Sequence, residues 1–266
     1  MIKQIKNMDL RQIAESGQCF RMTMTGDKSA RVIAGGRVLD IREDGEDRFE
    51  LSCDDTEYEA YWRAYFDADT DYSVYINAID KEDGFLTGAA AYGSGIRILR
   101  QEPFETLISF IISQRKNIPA IQSSVEKLCR ICGTKISDDI YSFPTPEAIA
   151  GLSEDELGAC SLGYRVPYIR ETARRIAAGE ADLEMLRELS DDELYNELLS
   201  FHGVGKKVAN CVMLFGYHRI AAFPVDVWIQ RVEELHYNGR FPVERYPGFA
   251  GVLQQYMFFF GRNNAE

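Results

Sequence analysis

The chain contains no run of eighteen apolar residues, the minimum for a transmembrane helix. Its first residues, Met1-Ile2-Lys3-Gln4-Ile5-Lys6-Asn7-Met8-Asp9, lack the apolar stretch and small-residue cleavage site of a secretory leader. A membrane or secreted protein is therefore not expected, and a soluble cytoplasmic one is. Cysteine is sparse: the six residues at 19, 53, 129, 132, 160 and 211 form no dense framework, which fits a reducing compartment. Cys129 and Cys132 make a Cys-x-x-Cys pair, but no second pair or nearby histidine completes a zinc set. The helical patterning of residues 125–131 predicts two packed thiols on one helix instead. Internal repeats and low-complexity linkers are also missing. A chain of 266 residues, 45% hydrophobic and 27% charged, then has material for one large domain or two smaller ones.

Net positive charge is lacking too. The formal charge of −12 argues, on a bare count, against a nucleic-acid partner. Its distribution removes the objection. Between Asp40 and Asp83 sixteen acidic residues face only Arg42, Arg48, Arg63 and Lys81, while the rest of the chain carries 26 basic and 26 acidic residues. The excess describes one solvated acidic region and leaves DNA open as a partner.

Residues 30–53 show strand patterning. Arg31-Val32-Ile33-Ala34, a Gly35-Gly36 turn, Val38-Leu39-Asp40-Ile41 and, after an acidic turn, Phe49-Glu50-Leu51 predict a small antiparallel sheet. From Thr56 the spacing becomes helical, with Tyr58, Trp62 and Tyr65 or Phe66 on one face of a helix near 56–66. The acidic run 67–71 resembles a calcium loop but has Tyr72 where glycine is needed and Ala78 where glutamate is needed, so it is read as a polar helix terminus. Beyond about residue 100 the chain is almost wholly helical, with residues 104–112 apolar on most sides and Ser190-Asp191-Asp192-Glu193 forming a capping box. The expected architecture is α+β, with an N-terminal β-rich domain over 1–90 and a helical domain over 91–266.

The most informative stretch is residues 199–215. Here Gly203-Val204-Gly205 separates two helices and is followed by Lys206-Lys207. Two glycines around one apolar residue permit a tight turn, and Val204 can plug between the helices. The amides of the turn and of the second helix then point outward. Such a group of unpaired donors, backed by the helix dipole, holds a phosphate without reading sequence and without a basic surface.

Beyond Lys207 follows the segment Ala221-Ala222-Phe223-Pro224-Val225-Asp226-Val227-Trp228, whose Asp226 lies nineteen residues after that lysine. This combination resembles the helix-hairpin-helix DNA glycosylases, whose motif runs on through a glycine- and proline-rich loop to an aspartate. The resemblance implies that Asp226 and Lys207 are catalytic. Breaking an N-glycosidic bond develops positive charge on the sugar, and an ionised carboxylate stabilises that state. Asp226 can cap its helix and still offer one oxygen. A lysine that gives up its proton, as burial favours, attacks the anomeric carbon and forms a Schiff base from which β-elimination nicks the strand. Lys206 is the rival, but the family places its nucleophile second after the final glycine, which leaves Lys206 to solvent or phosphate.

Further segments resemble bacterial 8-oxoguanine DNA glycosylases with lyase activity, over nearly the whole chain. They are Ser16-Gly17-Gln18-Cys19-Phe20-Arg21, residues 97–103 and 104–113 with Phe110, Leu162-Gly163-Tyr164-Arg165, and Phe249-Ala250-Gly251 with Gln254 and Phe258. The resemblance implies that the Gly17 carbonyl reads the N7–H that distinguishes 8-oxoguanine from guanine. It places Gln254, Phe258 and Cys211 around the flipped base, where an aromatic face stacks and an amide pairs with the Watson–Crick edge. Gly203, Val204, Gly205, Lys206, Arg115, Lys116, Asn117, Tyr164 and Arg165 become the DNA-contacting candidates. Trp228, in place of a histidine, departs from the family in the fine geometry of the pocket, and eukaryotic members differ further at Arg115-Lys116-Asn117, where they carry three asparagines, and at Ala120, where they carry an arginine for the opposite cytosine. Weaker discrimination of the opposite base is the expectation.

A monofunctional alkylpurine glycosylase would not need Lys207. An iron-sulfur relative would need cysteines after Cys211. A hairpin that only binds DNA would leave Lys207 with Asp226 unexplained. The expected partner is duplex DNA carrying 8-oxoguanine, and the expected state is a monomer with no organic cofactor, a monovalent or divalent cation at the hairpin being open.

Overall fold

The computed structural model describes residues 1–264. Five strands, β1 (Ile2–Gln4), β2 (Met22–Gly26), β3 (Ser29–Ala34), β4 (Arg37–Glu43) and β5 (Arg48–Leu51), form one antiparallel sheet in the order β1-β5-β4-β3-β2. The Gly35-Gly36 turn has both residues at positive φ (54° and 71°), which matches the right-handed twist of the strands it joins. Alternation does the rest: Ala30, Val32, Leu39, Ile41, Phe49 and Leu51 point inward onto Leu10, Ile13, Trp62 and Phe66. β1 and β2 were not expected. Each is short, and only pairing with β5 and β3 makes its pattern meaningful.

The helix expected near 56–66 forms as Asp55–Glu57, a π-helical segment Tyr58–Trp62 and Arg63–Tyr65. A second apolar core lies under the helices Gly84–Tyr92, Pro103–Ser113, Ile118–Cys132, Val166–Ala177, Asp191–Leu199, Lys206–Phe215, Val227–His236 and Ala250–Asn263. Tyr72, Ile79, Leu86, Ala89 and Ala90 belong to this second core, while Leu99 joins the first. The division between cores therefore does not coincide with the expected boundary near residue 90. The chain crosses to the helical side at about Tyr72 and touches the sheet domain again at Leu99.

Two buried polar groups join the halves. The fully buried Arg97 guanidinium donates to the carbonyls of Lys6, Phe66, Asp67 and Thr70 and stacks over Tyr72. The acidic run is not a simple helix terminus. Asp67, at φ 50° and 4% exposed, accepts from Arg100 at 2.8 Å and from the Tyr72 hydroxyl at 3.0 Å, with His218 Nε2 at 3.5 Å. Burial pushes its carboxyl up, but the hydrogen bonds and charges of His218 and Arg100 outweigh this and hold it at about 2. All six cysteines are free, with Cys129 buried and Cys132 half-buried on the helix Ile118–Cys132. Among the described residues no group of three or more His, Cys, Asp or Glu could hold a metal, and no helix is long and apolar enough to cross a membrane.

Candidate active site and nucleic-acid interface

The hairpin takes the geometry its glycines allow. The helix Asp191–Leu199 opens on the Ser190–Glu193 capping box, and the helix Lys206–Phe215 starts from Gly205. Gly203 sits at φ 80°, and a Cβ there would stand 2.4 Å from the Tyr168 ring, so neither the conformation nor the space admits another residue. Val204 is buried and donates its amide to the Phe201 carbonyl at 3.0 Å, closing the turn. Gly205 offers no side-chain cap, which leaves the first-turn amides of the second helix for an external acceptor. Lys206 is exposed. Lys207 turns inward, its Nζ 4.9 Å from the centre of the Phe110 ring.

Asp226 caps the helix Val227–His236 through Oδ1 alone, accepting from the amides of Trp228 at 3.0 Å and Ile229 at 2.9 Å. The cap fixes the carboxylate's position and does not use Oδ2. A cavity of about 40 Å³ is lined by Gly17, Phe110, Lys207, Cys211, Asp226, Gln254 and Phe258. All seven residues expected to act on or hold the base thus meet in one place. Ser16, Phe215, Pro224 and Gln255 complete the wall. Five of the seven, Gly17, Phe110, Lys207, Asp226 and Phe258, also line an outer cleft of about 1010 Å³, together with Arg115, Lys116, Asn117, Trp228 and Arg262.

Each side chain has a physical reason for its place. Gly17 adopts φ 74°, and a Cβ on it would lie 3.3 Å from Phe258. The adjacent Gln18 is buried, donating to Ser16 Oγ at 3.0 Å and to the Arg97 carbonyl at 2.8 Å, and accepting from the Leu99 amide at 2.8 Å. The segments 16–21 and 97–103 are therefore two halves of one bonded unit that holds the Gly17 peptide. Phe110 is gripped between Phe20 in edge contact (5.4 Å) and Phe215 in a stack (5.5 Å). Burial pushes the Cys211 thiol up to about 11, with Lys207 opposing and Asp226 adding to the rise. It stays protonated at neutral pH, which leaves Lys207 without a competing thiolate.

The other DNA-contacting candidates divide. Arg115 is exposed at φ 53°, and Asn117 is exposed while capping the helix Ile118–Cys132 by accepting from the Ala120 amide. Tyr164 is half exposed. Lys116, in contrast, donates to the Ser161 carbonyl at 2.7 Å and to Ser124 Oγ. Arg165 is 5% exposed, donates to the carbonyls of Leu162 and Gln114, and stacks on Tyr164 at 4.3 Å. Both cations thus bond within the protein, Arg165 to backbone carbonyls and Lys116 to a carbonyl and a hydroxyl, while Lys116 also lines the outer cleft. Arg262 was not anticipated. It sits 5.5 Å from the Phe258 ring centre at the cleft, its guanidinium pulled down by burial, and a lone arginine near a chain end gives no sequence signal.

Residues 1–107 match the family model described as 8-oxoguanine DNA glycosylase, N-terminal domain, and residues 108–240 match that of the HhH-GPD superfamily base excision DNA repair protein. The structure superposes with a TM-score of 0.94 on MBOgg1 in complex with a low-affinity DNA ligand, at 34% identity, covering 100% of this chain and 96% of that one. The TM-score is again 0.94 with the Clostridium acetobutylicum 8-oxoguanine glycosylase/lyase bound to duplex DNA with cytosine opposite 8-oxoguanine, at 32% identity, covering 100% and 99%. The Saccharomyces cerevisiae N-glycosylase/DNA lyase is 40% identical over 159 residues, 54% of this chain and 42% of that protein, so the chain spans less than half of the yeast protein's length.

Proposed function

Because the chain belongs to the HhH-GPD superfamily of base excision DNA repair proteins, we propose that it excises 8-oxoguanine from duplex DNA and then nicks the strand at the abasic site. The observation that carries this reading is the meeting of Lys207 and Asp226 in one cavity with Gly17, Phe110, Cys211, Gln254 and Phe258.

As it stands, the inner cavity of about 40 Å³ is far smaller than the outer cleft of about 1010 Å³. A flipped base enters by displacing Phe258 from Gly17, and the outer cleft is wide enough to receive the extruded nucleotide. The Gly17 carbonyl then accepts the N7–H of the lesion. As the glycosidic bond lengthens, the base leaves with the bonding pair and the Asp226 carboxylate stabilises the positive charge on the sugar. The Lys207 amine loses a proton as it bonds to C1′ in place of the base, and the C1′–O4′ bond then breaks, the ring oxygen taking up a proton and the C1′–N bond becoming the Schiff base. Abstraction of a C2′ proton expels the 3′ phosphate and cuts the strand. The hairpin amides hold a phosphate beside the flipped nucleotide. No organic cofactor enters this scheme, and we propose a cation only as an accessory to the backbone of the hairpin. The free cysteines suit a reducing cytoplasm, the compartment we assign to it.

The test is Asp226→Asn, since asparagine preserves the helix cap. Single-turnover release of 8-oxoguanine should fall by about a hundredfold, the scale of losing one electrostatic partner of the transition state. Affinity for the same duplex should change by less than about threefold, because the carboxylate does not face phosphate. Unchanged turnover would remove Asp226 from the mechanism.

A further inference from the structure

Gln255 lies beside the glutamine expected to hold the base, is 3% exposed, and lines the inner cavity. The hydrogen bonds around it leave one choice of amide orientation. The Pro224 carbonyl can only accept, so Gln254 must present Nε2 to it, at 3.0 Å, and turn its Oε1 away. That Oε1 can only accept in turn, so Gln255 must present Nε2 to it, also at 3.0 Å. What is left over is Gln255 Oε1, a buried acceptor with no hydrogen-bond partner among the described residues. A buried acceptor without a donor is costly, and few are tolerated without a purpose.

We propose that Gln255 is a specificity-determining residue of the base pocket. It locks the Gln254 amide and, with the spare lone pair of Gln254 Oε1, builds a pair of acceptors. That pair suits a base whose Watson–Crick edge carries two donors, as a guanine-type base does with N1–H and its 2-amino group. This inference rests on the reading of the cavity as the pocket for an extruded 8-oxoguanine.

The test uses the full chain and two duplexes that differ only at the 2-position of the lesion: 8-oxoguanine and 8-oxohypoxanthine, each opposite cytosine. Single-turnover base release is measured for the wild type, Gln255→Leu and Gln255→Met. The wild type should prefer 8-oxoguanine by about tenfold, because a site built to bond a donor discriminates against the analogue lacking it. Both variants should lose that preference, release of 8-oxoguanine slowing about tenfold more than release of 8-oxohypoxanthine. A merely structural Gln255 would slow both duplexes in parallel and keep the wild-type ratio, which overturns the proposal. A wild type that releases both bases equally also overturns it, whatever the variants do, while leaving the glycosylase reading in place. A wild type that releases neither base removes the glycosylase reading and this inference with it.

Discussion

The hairpin at 199–215 and the neighbouring loop that carries Arg115, Lys116 and Asn117 touch each other, through Gln114 Nε2 donating to the Gly203 carbonyl at 3.0 Å. Both were expected to hold DNA, the first through its backbone and the second through its side chains. The structure gives the hairpin the conformation expected of it, with Gly203 in the left-handed region and the second helix opening without a side-chain cap. It treats the cations around the loop unequally. Arg115 reaches solvent, whereas Lys116 and Arg165 are drawn onto backbone carbonyls. Backbone demands are local and few residue types satisfy them. The destination of a long cationic side chain depends on which carbonyls the tertiary fold leaves unpaired, and the same residue type serves either end.

The contrast breaks most directly at the two hairpin glycines. Gly203→Ala must place a Cβ against the Tyr168 ring at a positive φ, and should cost about 2–3 kcal/mol in urea unfolding. Gly205→Ala has no atom within 4 Å to meet and should cost about 1 kcal/mol or less. Equal losses at the two positions would mean that the turn is not held by Gly203.

Smaller effects separate the two arginines. Arg165→Met removes donors from the Leu162 and Gln114 carbonyls, so stability should drop by about 1–3 kcal/mol. The DNA affinity of the folded variant should stay within about twofold of wild type. Arg115→Ala should leave stability within about 0.5 kcal/mol. It should weaken binding to damaged and undamaged duplexes alike, lowering the slope of log affinity against log salt by about 1. If Arg165→Met lowered that slope instead, the assignment of Arg165 to internal bonding would be wrong.

Much of the site was legible because its residues obey short-range rules. The capping box at Ser190, the glycines of the hairpin and the cap at Asp226 follow from positions within a few residues of each other, whereas the preference for Lys207 over Lys206 rests on the family resemblance. The sheet was legible where alternation was strong, over β3 to β5. It was not at β1 and β2, whose few residues acquire meaning only from partners elsewhere in the chain. Gln18, Arg97 and Asp67 join segments separated by 27 or more residues, and no local pattern announces such bonds. Gln255 was invisible for a related reason. Its significance lies in an acceptor that nothing satisfies, which only the packed structure reveals.

The central claim is that the inward lysine of the pair, and not the exposed one, is the nucleophile. Borohydride trapping on a duplex with one 8-oxoguanine opposite cytosine, run with wild type, Lys206→Gln and Lys207→Gln, tests it directly. With Lys207 as the nucleophile, a covalent protein–DNA band requires the lesion, persists in Lys206→Gln and vanishes in Lys207→Gln. A band that survives in Lys207→Gln, or a wild type that binds the duplex and forms none, would contradict it.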